Sequence, residues 1–384
     1  MNLRQILPLA LLFVAASPVL ATAGSQTKAP PPAEASAVAT TMIANGLSHP
    51  WALQFLPDGR MLVTERPGRL RIVTPAGEIG PAVANVPEVV GSGQGGLLDV
   101  ALAPDFATSS EIFISYAEPR SGGVNGTSVA RARLKTDNQN GGTLEDVRVI
   151  FRQEPAASGT YHFGSRIVFA NDGTLFVTTG DRYALKDEAQ NPKTHIGKVI
   201  RITKDGDAAP GAPVAAGWDA KVWSIGHRNL QGATVDPATG DLWTVEHGAR
   251  GGDELNRPQA GRNYGWPVIT YGRDYTFLKI GEGTAKAGME QPVYYWDPSI
   301  APSGLVLYSG KLFPGWKGNL LVGALAGAHL SRLVMENGAV VAEERLLTNL
   351  DERIRDVREG PDGAVYVVTD DRRNGKIIRL TPAK

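Results

Sequence analysis

Residues 169–181 read FANDGTLFVTTGD, which joins an Asp-Gly turn to a short run of β-branched and aromatic residues. Asp-Gly supplies the positive φ angles that a hairpin turn needs. Alternating residues after such a turn are typical of a half-buried strand. The stretch therefore predicts a turn followed by a β-strand.

The same pattern recurs along the chain, which indicates a repeated structural unit. Clear copies occupy 55–65, 235–248 and 358–370, and weaker copies occupy 102–116 and 313–325. Six units of about 60 residues, each too small to bury its own core, predict an all-β, six-bladed β-propeller. An irregular pair of β-sandwiches is the alternative. No convincing amphipathic helix exceeds about two turns, which argues against α/β folds.

The composition agrees with a turn-rich β protein, and its charge balance argues against nucleic acid and anionic membranes as partners. Hydrophobic residues make up 42% of the chain, and it has 45 Gly and 26 Pro. Lys plus Arg and Asp plus Glu both number 39. This neutral balance gives no electrostatic reason to expect binding to nucleic acid or to an anionic membrane.

The N-terminal sequence predicts export. Residues 1–23 have a basic start, an apolar centre and small residues at the end, as a signal peptide does. The chain has no cysteine, so we expect neither a lipoprotein anchor nor disulfides. Residues 24–40 are rich in Pro and Ala and predict a flexible leader. Residues 41–384 then form one catalytic domain, in a periplasmic or secreted protein without a membrane anchor.

Several polar residues stand where the propeller loops would converge on a central channel. His162 precedes a predicted strand and could be a general base or a hydrogen-bonded structural histidine. Arg353 and Arg355 alternate, so both project from one side of an extended segment. They could share an anion or form separate surface ion pairs. Asp253 and Glu254 offer oxygen ligands for calcium, although acidic turns are usually only solvated.

Six motifs in order resemble the soluble sugar dehydrogenases that depend on pyrroloquinoline quinone (PQQ), in particular the aldose sugar dehydrogenases. The motifs are GQGGLLDVALAPDF, YHFGSRIVFANDGTLFVTTGDR, GHRNLQG, DELNRPQAGRNYGWP, PVYYWDPSIAPSG and RIRDVREGPDG. The resemblance covers residues 44 to 381, and the family fold is a six-bladed propeller.

The resemblance implies roles for individual residues. His162 matches the base that removes the anomeric proton while hydride passes to PQQ. Arg228 matches a catalytic and PQQ-binding arginine. The other positions that match PQQ-binding residues are Gln94, Asn229, Tyr275, Arg353 and Arg355. His227, which stands beside Arg228, is then a structural neighbour.

The resemblance also implies two calcium sites. The active-site Ca²⁺ matches backbone carbonyls at Gly248 and Ala249, where it would act as a Lewis acid. A structural Ca²⁺ matches Glu254 and Tyr264, the latter through its main chain. Two departures concern ligand binding: residues 323–330 lack a lysine that some relatives place against PQQ, and Tyr161 replaces an acid of the glucose-specific branch.

These features predict a PQQ- and calcium-dependent enzyme that oxidises aldose sugars at C1 to lactones and passes electrons to an external acceptor. A calcium-dependent propeller lactonase is one alternative. It would need carboxylate and amide side chains that converge on the ion, and would leave Arg353 and Arg355 without a task. A non-catalytic propeller that binds sugar or protein is the other alternative.

Overall fold

The fold is a six-bladed β-propeller, as the repeats predicted. A computed structural model describes residues 26–137 and 139–383, so the predicted signal peptide lies outside the described residues. Six four-stranded antiparallel sheets form the blades, and each runs from an inner to an outer strand. Within the described residues, helices are limited to short turns. These turns are α1 (Phe106–Ser109), Ser121–Gly123, Lys186–Gln190, Pro314–Trp316 and Thr348–Leu350.

The first three blades follow one another along the chain. Blade 1 consists of β2 (Pro50–Phe55), β3 (Met61–Glu65), β4 (Arg69–Val73) and β5 (Ile79–Ala82). Blade 2 consists of β6 (Leu97–Leu102), β7 (Glu111–Arg120), β8 (Val124–Thr136) and β9 (Gly142–Arg152). Blade 3 consists of β10 (Gly164–Phe169), β11 (Leu175–Thr179), β12 (Lys198–Ile202) and β13 (Val222–Ile225).

The last three blades include the closure of the ring. Blade 4 consists of β14 (Leu230–Val235), β15 (Leu242–Glu246), β16 (Asp253–Asn256) and β17 (Tyr294–Trp296). Blade 5 consists of β18 (Pro302–Leu307), β19 (Leu320–Ala324), β20 (His329–Glu336) and β21 (Ala339–Leu346). Blade 6 consists of β22 (Ile354–Glu359), β23 (Val365–Thr369), β24 (Gly375–Pro382) and the N-terminal β1 (Val38–Leu47).

Each sequence repeat spans the turn between the first two strands of a blade. Gly59, Gly173 and Gly363 have positive φ angles in these turns, as Asp-Gly predicts. The strands that follow differ from the expected half-buried pattern, because β3, β11, β15 and β19 are buried along their whole length. A blade packs against a neighbour on both faces, so both faces of its second strand are covered.

The hydrophobic core lies between blades. Each pair of neighbouring blades shares one apolar cluster, such as the cluster of Trp51, Leu62, Leu97 and Ile114 between blades 1 and 2. The other five interfaces have equivalent clusters. Near the propeller axis, an ionic network adds to this packing.

The ionic network joins three inner strands. Arg166 on β10 is fully buried and pairs with Asp99 on β6 at 3.0 Å and with Asp356 on β22 at 3.2 Å. Its guanidinium also lies 4.2 Å from the centre of the Trp51 ring on β2. Arg358 pairs with the same two aspartates. Removing one partner of such a buried pair typically costs about 3–5 kcal/mol, so the network fixes how the inner strands meet.

Within the predicted leader 24–40, the residues that the structure describes are hydrogen-bonded to the propeller. Strand β1 already begins at Val38, and residues 26–37 lie along the outer strands of blades 4 and 5. The Gln26 carbonyl accepts from the Tyr295 amide at 2.9 Å, and Ser36 donates to Glu344 from its amide and hydroxyl groups. The Pro/Ala-rich composition did not reveal these bonds, because they depend on strands far away in the sequence.

Among the residues that the structure describes, no helix has the length and apolar character needed to cross a membrane.

Candidate active site

The predicted site residues meet on one face of the propeller. In each blade the first strand begins, and the antiparallel second strand ends, on this face, which we call the site face. Gln94 and His162 precede the first strands of blades 2 and 3, and Arg228 and Asn229 precede that of blade 4. The fold therefore brings together segments that are far apart in the sequence.

His162 forms a buried dyad with Asp181, which follows the second strand of blade 3. The His162 Nδ1 and Asp181 Oδ1 atoms are 2.6 Å apart. Asp181 also accepts hydrogen bonds from the Trp266 indole at 2.8 Å and from the Tyr183 amide at 2.7 Å. These bonds fix the carboxylate, and the carboxylate fixes the imidazole ring.

The backbone of His162 is in the left-handed region, with φ of 52°. Few residues other than glycine adopt this conformation, and it is often found at functional sites. The Gln94 side chain accepts a hydrogen bond from the His162 amide at 2.8 Å. The opposite strand comes so close that a Cβ on Gly180 would clash with the His162 carbonyl. Gln94 and Gly180 thus hold the unusual conformation of His162.

The dyad leaves His162 Nε2 available to accept a proton. Because Asp181 is a hydrogen-bond acceptor, the neutral imidazole carries its proton on Nδ1. Nε2 has no hydrogen-bond partner among the described residues, and His162 lines a cavity. Burial and the nearby Arg228 guanidinium lower the pKa of His162, while its hydrogen bond to Asp181 opposes this shift. The ring is therefore neutral at pH 7.

Arg228 and Asn229 lie beside the dyad. The Asp181 amide donates to the Arg228 carbonyl at 2.8 Å, which joins the loops that carry the dyad and Arg228. The Arg228 guanidinium donates to the carbonyls of His247, at 3.2 Å, and Gly248, and lies 5.2 Å from the centre of the Trp266 ring. Two buried donors, Arg228 Nε and Asn229 Nδ2, have no partner among the described residues.

His227 is part of the structural support, as the sequence analysis expected. Its ring is fully buried, with Nδ1 2.9 Å from Glu246 and Nε2 2.8 Å from the Ser224 hydroxyl. It also stacks on the Tyr264 ring at 4.9 Å. Both ring nitrogens are occupied, so His227 has no free atom for proton transfer.

Next to the dyad lies a cavity of about 280 Å³, which we call the arginine cavity because Arg66, Arg353 and Arg355 line it. Arg353 and Arg355 share one carboxylate oxygen of Asp370, each at 3.4 Å. Burial raises the pKa of Asp370, but the Arg355 guanidinium, the hydrogen bond to His49 and the guanidiniums of Arg353 and Arg66 outweigh it and hold the pKa below its usual range. Three cations against one anion give this cavity an excess of positive charge.

The two predicted arginines differ in exposure. The Arg353 side chain is 51% exposed and donates to the Leu325 carbonyl at 3.3 Å. Arg355 is buried, and burial lowers its pKa to about 10. Its Nε is a buried donor without a partner among the described residues. The loop 323–330, which has no lysine, thus contributes the Leu325 carbonyl as a partner of Arg353, and Leu325 also lines the arginine cavity.

A second cavity of about 250 Å³, the histidine cavity, lies above the dyad. Its lining includes His162, Arg228, Trp266 and Tyr275. Tyr275 is 57% exposed at the rim, so the structure places it at the site but not deep inside it. Both Trp266 and Tyr275 belong to the segment 257–293, which contacts Ile225 at the end of blade 3 and reaches the site face.

The expected carbonyl ligands of an active-site metal lie at the end of blade 4. Gly248 and Ala249 follow β15, and Ala249 lines the histidine cavity. The Gly248 carbonyl accepts a hydrogen bond from Arg228. A cation at Gly248 therefore requires the Arg228 contact to lengthen. In residues 26–137 and 139–383, no group of three or more His, Cys, Asp or Glu side chains could hold a metal ion.

The second expected metal position, at Glu254 and Tyr264, is acidic, and Glu254 is half-buried. Burial and the neighbouring Glu246 raise the pKa of Glu254 to about 8. Both glutamates accept from the Asn256 amide group, whose oxygen has no partner in the described part of the chain. The Tyr264 hydroxyl donates to the Arg257 carbonyl and accepts from the Gln259 amide. The side chain of Tyr264 is therefore engaged elsewhere, which leaves its main chain as the available ligand.

Asp253 has a different environment. It is fully buried and accepts hydrogen bonds from the amides of Gly248, Ile300 and Ala301 and from the Ser299 hydroxyl, at 2.6–2.8 Å. These four donors satisfy its carboxylate, and they connect the loop of Gly248 to blade 5. Asp253 is thus part of the scaffold.

Sequence reasoning missed several residues that complete the site, above all Asp181, Trp266 and Asp370. A signal for the two acids was present, because four repeats carry an acidic residue at or near their end. These residues are Glu65, Asp181, Glu246 and Asp370, which end or follow the second strands of their blades on the site face. Trp266 had no such signal, since it lies in an insertion outside the repeats.

Residues 47–379 match the family described as Glucose / Sorbosone dehydrogenase. The chain is 42% identical over 346 residues to aldose sugar dehydrogenase YliI of Escherichia coli, which covers 89% of this chain and 92% of that protein. The crystal structure of the apo-form of the soluble aldose sugar dehydrogenase from Escherichia coli matches with a TM-score of 0.86 and 42% identity, over 90% of this chain and all of that chain. The PQQ-bound aldose sugar dehydrogenase from Streptomyces coelicolor matches with a TM-score of 0.74 and 28% identity, over 91% and 99% of the two chains.

Proposed function

Since the chain belongs to the glucose/sorbosone dehydrogenase family, we propose that it oxidises aldose sugars at C1 to lactones, with PQQ and calcium as cofactors. This proposal rests on one observation above all: two features lie next to each other on the site face. One is the His162–Asp181 dyad with an available Nε2 atom. The other is the arginine cavity, with its excess of positive charge.

The arginine cavity and its surroundings suit PQQ, a flat quinone with carboxylate groups. Arg228 Nε, Asn229 Nδ2 and Arg355 Nε are buried donors without partners among the described residues. Buried donors are nearly always satisfied in native proteins, so a bound ligand rich in acceptors explains all three. Arg353 and Arg355 would hold carboxylates, while Arg228 and Asn229 would face the quinone oxygens.

When bound, PQQ would supply the acceptor for the C1 hydride. The protein's own part in the reaction is the handling of protons and charge. His162 Nε2 removes the proton of the anomeric hydroxyl, and Asp181 stabilises the imidazolium that forms. The fixed Arg228 guanidinium stabilises the negative charge that develops in the site. Loss of one hydride and one proton from the aldose gives the lactone.

Calcium would be held by main-chain oxygens at Gly248 and Ala249, together with oxygens of the ligand and water. Such an ion supplies Lewis-acid polarisation of a carbonyl group. At the second position, Glu254 and the Tyr264 main chain would hold a structural ion. The raised pKa of Glu254 supports this proposal, because a bound cation relieves the repulsion between Glu254 and Glu246.

The proposal also includes export and an external electron acceptor. The signal peptide predicted over 1–23 would export the enzyme to the periplasm or out of the cell. The open rim at Tyr275 gives sugar and acceptor access to the histidine cavity.

The alternatives fit the site less well. A calcium-dependent lactonase needs carboxylate and amide side chains that converge on its metal, and the described part of the chain has no group of three or more His, Cys, Asp or Glu side chains that could hold an ion. A propeller that only binds sugar or protein has no use for the His162–Asp181 dyad and its available Nε2.

The function is tested by reconstitution of the purified apoprotein with PQQ and Ca²⁺. We expect aldoses to reduce an artificial dye acceptor, at a rate that depends on both additions, with the lactone as product. Omission of PQQ is the control. If no member of a broad aldose panel is oxidised while absorbance shows PQQ to be bound, the proposed substrate class is wrong.

A further inference from the structure

Lys198, at the start of β12, is a buried lysine with no role in the proposed reaction, and burial lowers its pKa to about 7. Its side chain is fully buried, and no carboxylate of the described residues forms an ion pair with it. Nζ instead donates to three backbone carbonyls: Glu188 at 2.8 Å, Ala189 at 3.0 Å, and Ile196. Burial of a lysine without an acidic partner is rare and costly.

All three carbonyls belong to the segment 181–197, which connects β11 to β12 on the site face and which we call the dyad loop. The loop begins with Asp181. Tyr183, Ala184 and Lys186 of the same loop line the histidine cavity. Lys198 therefore holds together the loop that carries one half of the dyad.

The dyad loop also supports Trp266, which orients Asp181. The Gln190 amide group donates to the Trp266 carbonyl at 2.7 Å, and Ala189 packs in one apolar cluster with Trp266. The Trp266 indole then donates to Asp181. This sequence of contacts leads from the carbonyls around Lys198 to the carboxylate that fixes His162.

A second connection leads from Lys198 towards Arg228. The Ala189 carbonyl, which accepts from Lys198, also accepts from the Gly226 amide at 2.9 Å. Gly226 lies two residues before Arg228 in the same loop. The carbonyls that accept from Lys198 are thus connected both to the dyad and to the loop that carries Arg228.

We propose that Lys198 is a positioning residue that fixes the dyad loop, so that Asp181 and Trp266 hold His162 in place. Its Nζ atom lies among the three carbonyl oxygens of Glu188, Ala189 and Ile196, much as a structural cation would. The catalytic consequence rests on the proposed function, whereas the geometric claim concerns the apoprotein alone. The two parts can therefore be tested separately.

The geometric claim is tested by proton NMR of the apoprotein. A short imidazole–carboxylate hydrogen bond places the His162 Nδ1 proton at an unusually low field, and His162→Asn identifies this signal by its loss. We expect Lys198→Met, which removes the charge and all three donors, to abolish the signal or shift it strongly upfield. The matched control is Lys193→Met, because Lys193 is an exposed lysine of the same loop. The control should leave the signal unchanged.

The catalytic claim is tested with the same variants after addition of PQQ and Ca²⁺. For Lys198→Met we expect kcat to fall about 10²-fold, which is the scale for small misplacement of a catalytic group. The Kd for PQQ should change less than kcat, since Arg66, Arg353 and Arg355 of the arginine cavity come from blades 1 and 6. A parallel loss of kcat, PQQ affinity and thermal stability would instead indicate a general structural role and contradict the proposal.

If Lys198→Met does not fold, Lys198→Gln is the second variant, because it keeps an amide donor group in the same place. It should show a weakened signal and an intermediate kcat. An unchanged low-field signal in either folded variant would overturn the proposal. If the signal is lost but no variant, nor the wild type, oxidises aldoses, then the proposed function fails and the positioning role of Lys198 stands.

Discussion

At the residue scale, the account depends on His162, whose backbone and side chain are both constrained. Its φ of 52° is held by Gln94 and by the close approach of Gly180. The Asp181 carboxylate fixes its ring. The strained conformation and the short hydrogen bond both orient Nε2, which is the arrangement that a general base requires.

The first prediction concerns removal of this base. We expect His162→Asn to lower kcat by about 10²–10⁴-fold, because a general base typically contributes that much. Asparagine tolerates the left-handed conformation, so the backbone should remain in place. The measurement is steady-state kinetics with PQQ and Ca²⁺ present, and PQQ absorbance of the same variant is the control. Undiminished turnover in a variant that binds PQQ would remove His162 from the mechanism.

The second prediction is the pH dependence of the reaction. Burial and Arg228 lower the pKa of His162 below 6.5, and only the neutral imidazole is a base. The value of kcat/KM should therefore stay constant as pH falls through 6.5 and decline only at lower pH. Asp181→Asn removes the hydrogen bond that raises this pKa, so its acid limb should move to still lower pH, with a reduced plateau. An acid limb above pH 6.5 in the wild type would contradict this assignment.

The sequence pointed to single residues of the repeated loops that the structure places close together. His162, Arg228, Asn229 and Arg353 all precede an inner strand, and the fold brings them together on one face. It did not predict their partners. Contacts such as Asp181 with Trp266 depend on an insertion whose path no local pattern indicates.

At the element scale, the turn pattern was sufficient to predict six blades, because each copy contains a blade's innermost turn. It was not sufficient to predict burial. The pattern of β11, LFVTT, contains polar threonines, yet the whole strand is buried between two blades. Thr178 and Thr179 satisfy their hydroxyls with backbone carbonyls of neighbouring segments. Burial in a propeller depends on neighbouring blades, which periodicity within one strand does not report.

The third prediction concerns the N-terminal segment. We expect deletion of residues 26–37 to lower Tm by a few degrees, because it removes several partly exposed hydrogen bonds to blades 4 and 5. Deletion through Leu47 also removes β1 and leaves β24 without its antiparallel partner, so the ring should not close. Calorimetry on the two truncated proteins tests this difference. Equal Tm values for both would show that β1 does not close the propeller.

At the scale of the whole molecule, the ring explains how a chain with balanced charges builds a cationic site. The chain has 39 basic and 39 acidic residues, yet the arginine cavity holds three guanidiniums and a single carboxylate. Arg66 comes from blade 1, whereas Arg353 and Arg355 come from blade 6. Closure of the ring makes these blades neighbours, so the local charge could not be read from overall composition.

The central claim, that this cationic site binds PQQ for aldose oxidation, is tested most directly by titration of the apoprotein with PQQ in the presence of Ca²⁺, followed by absorbance. We predict saturable binding of one PQQ per chain, and a spectral change to the reduced cofactor when an aldose is added. The stoichiometry follows from the single arginine cavity next to the dyad in the described residues. Absence of saturable binding, or bound PQQ that no aldose reduces, would contradict the account.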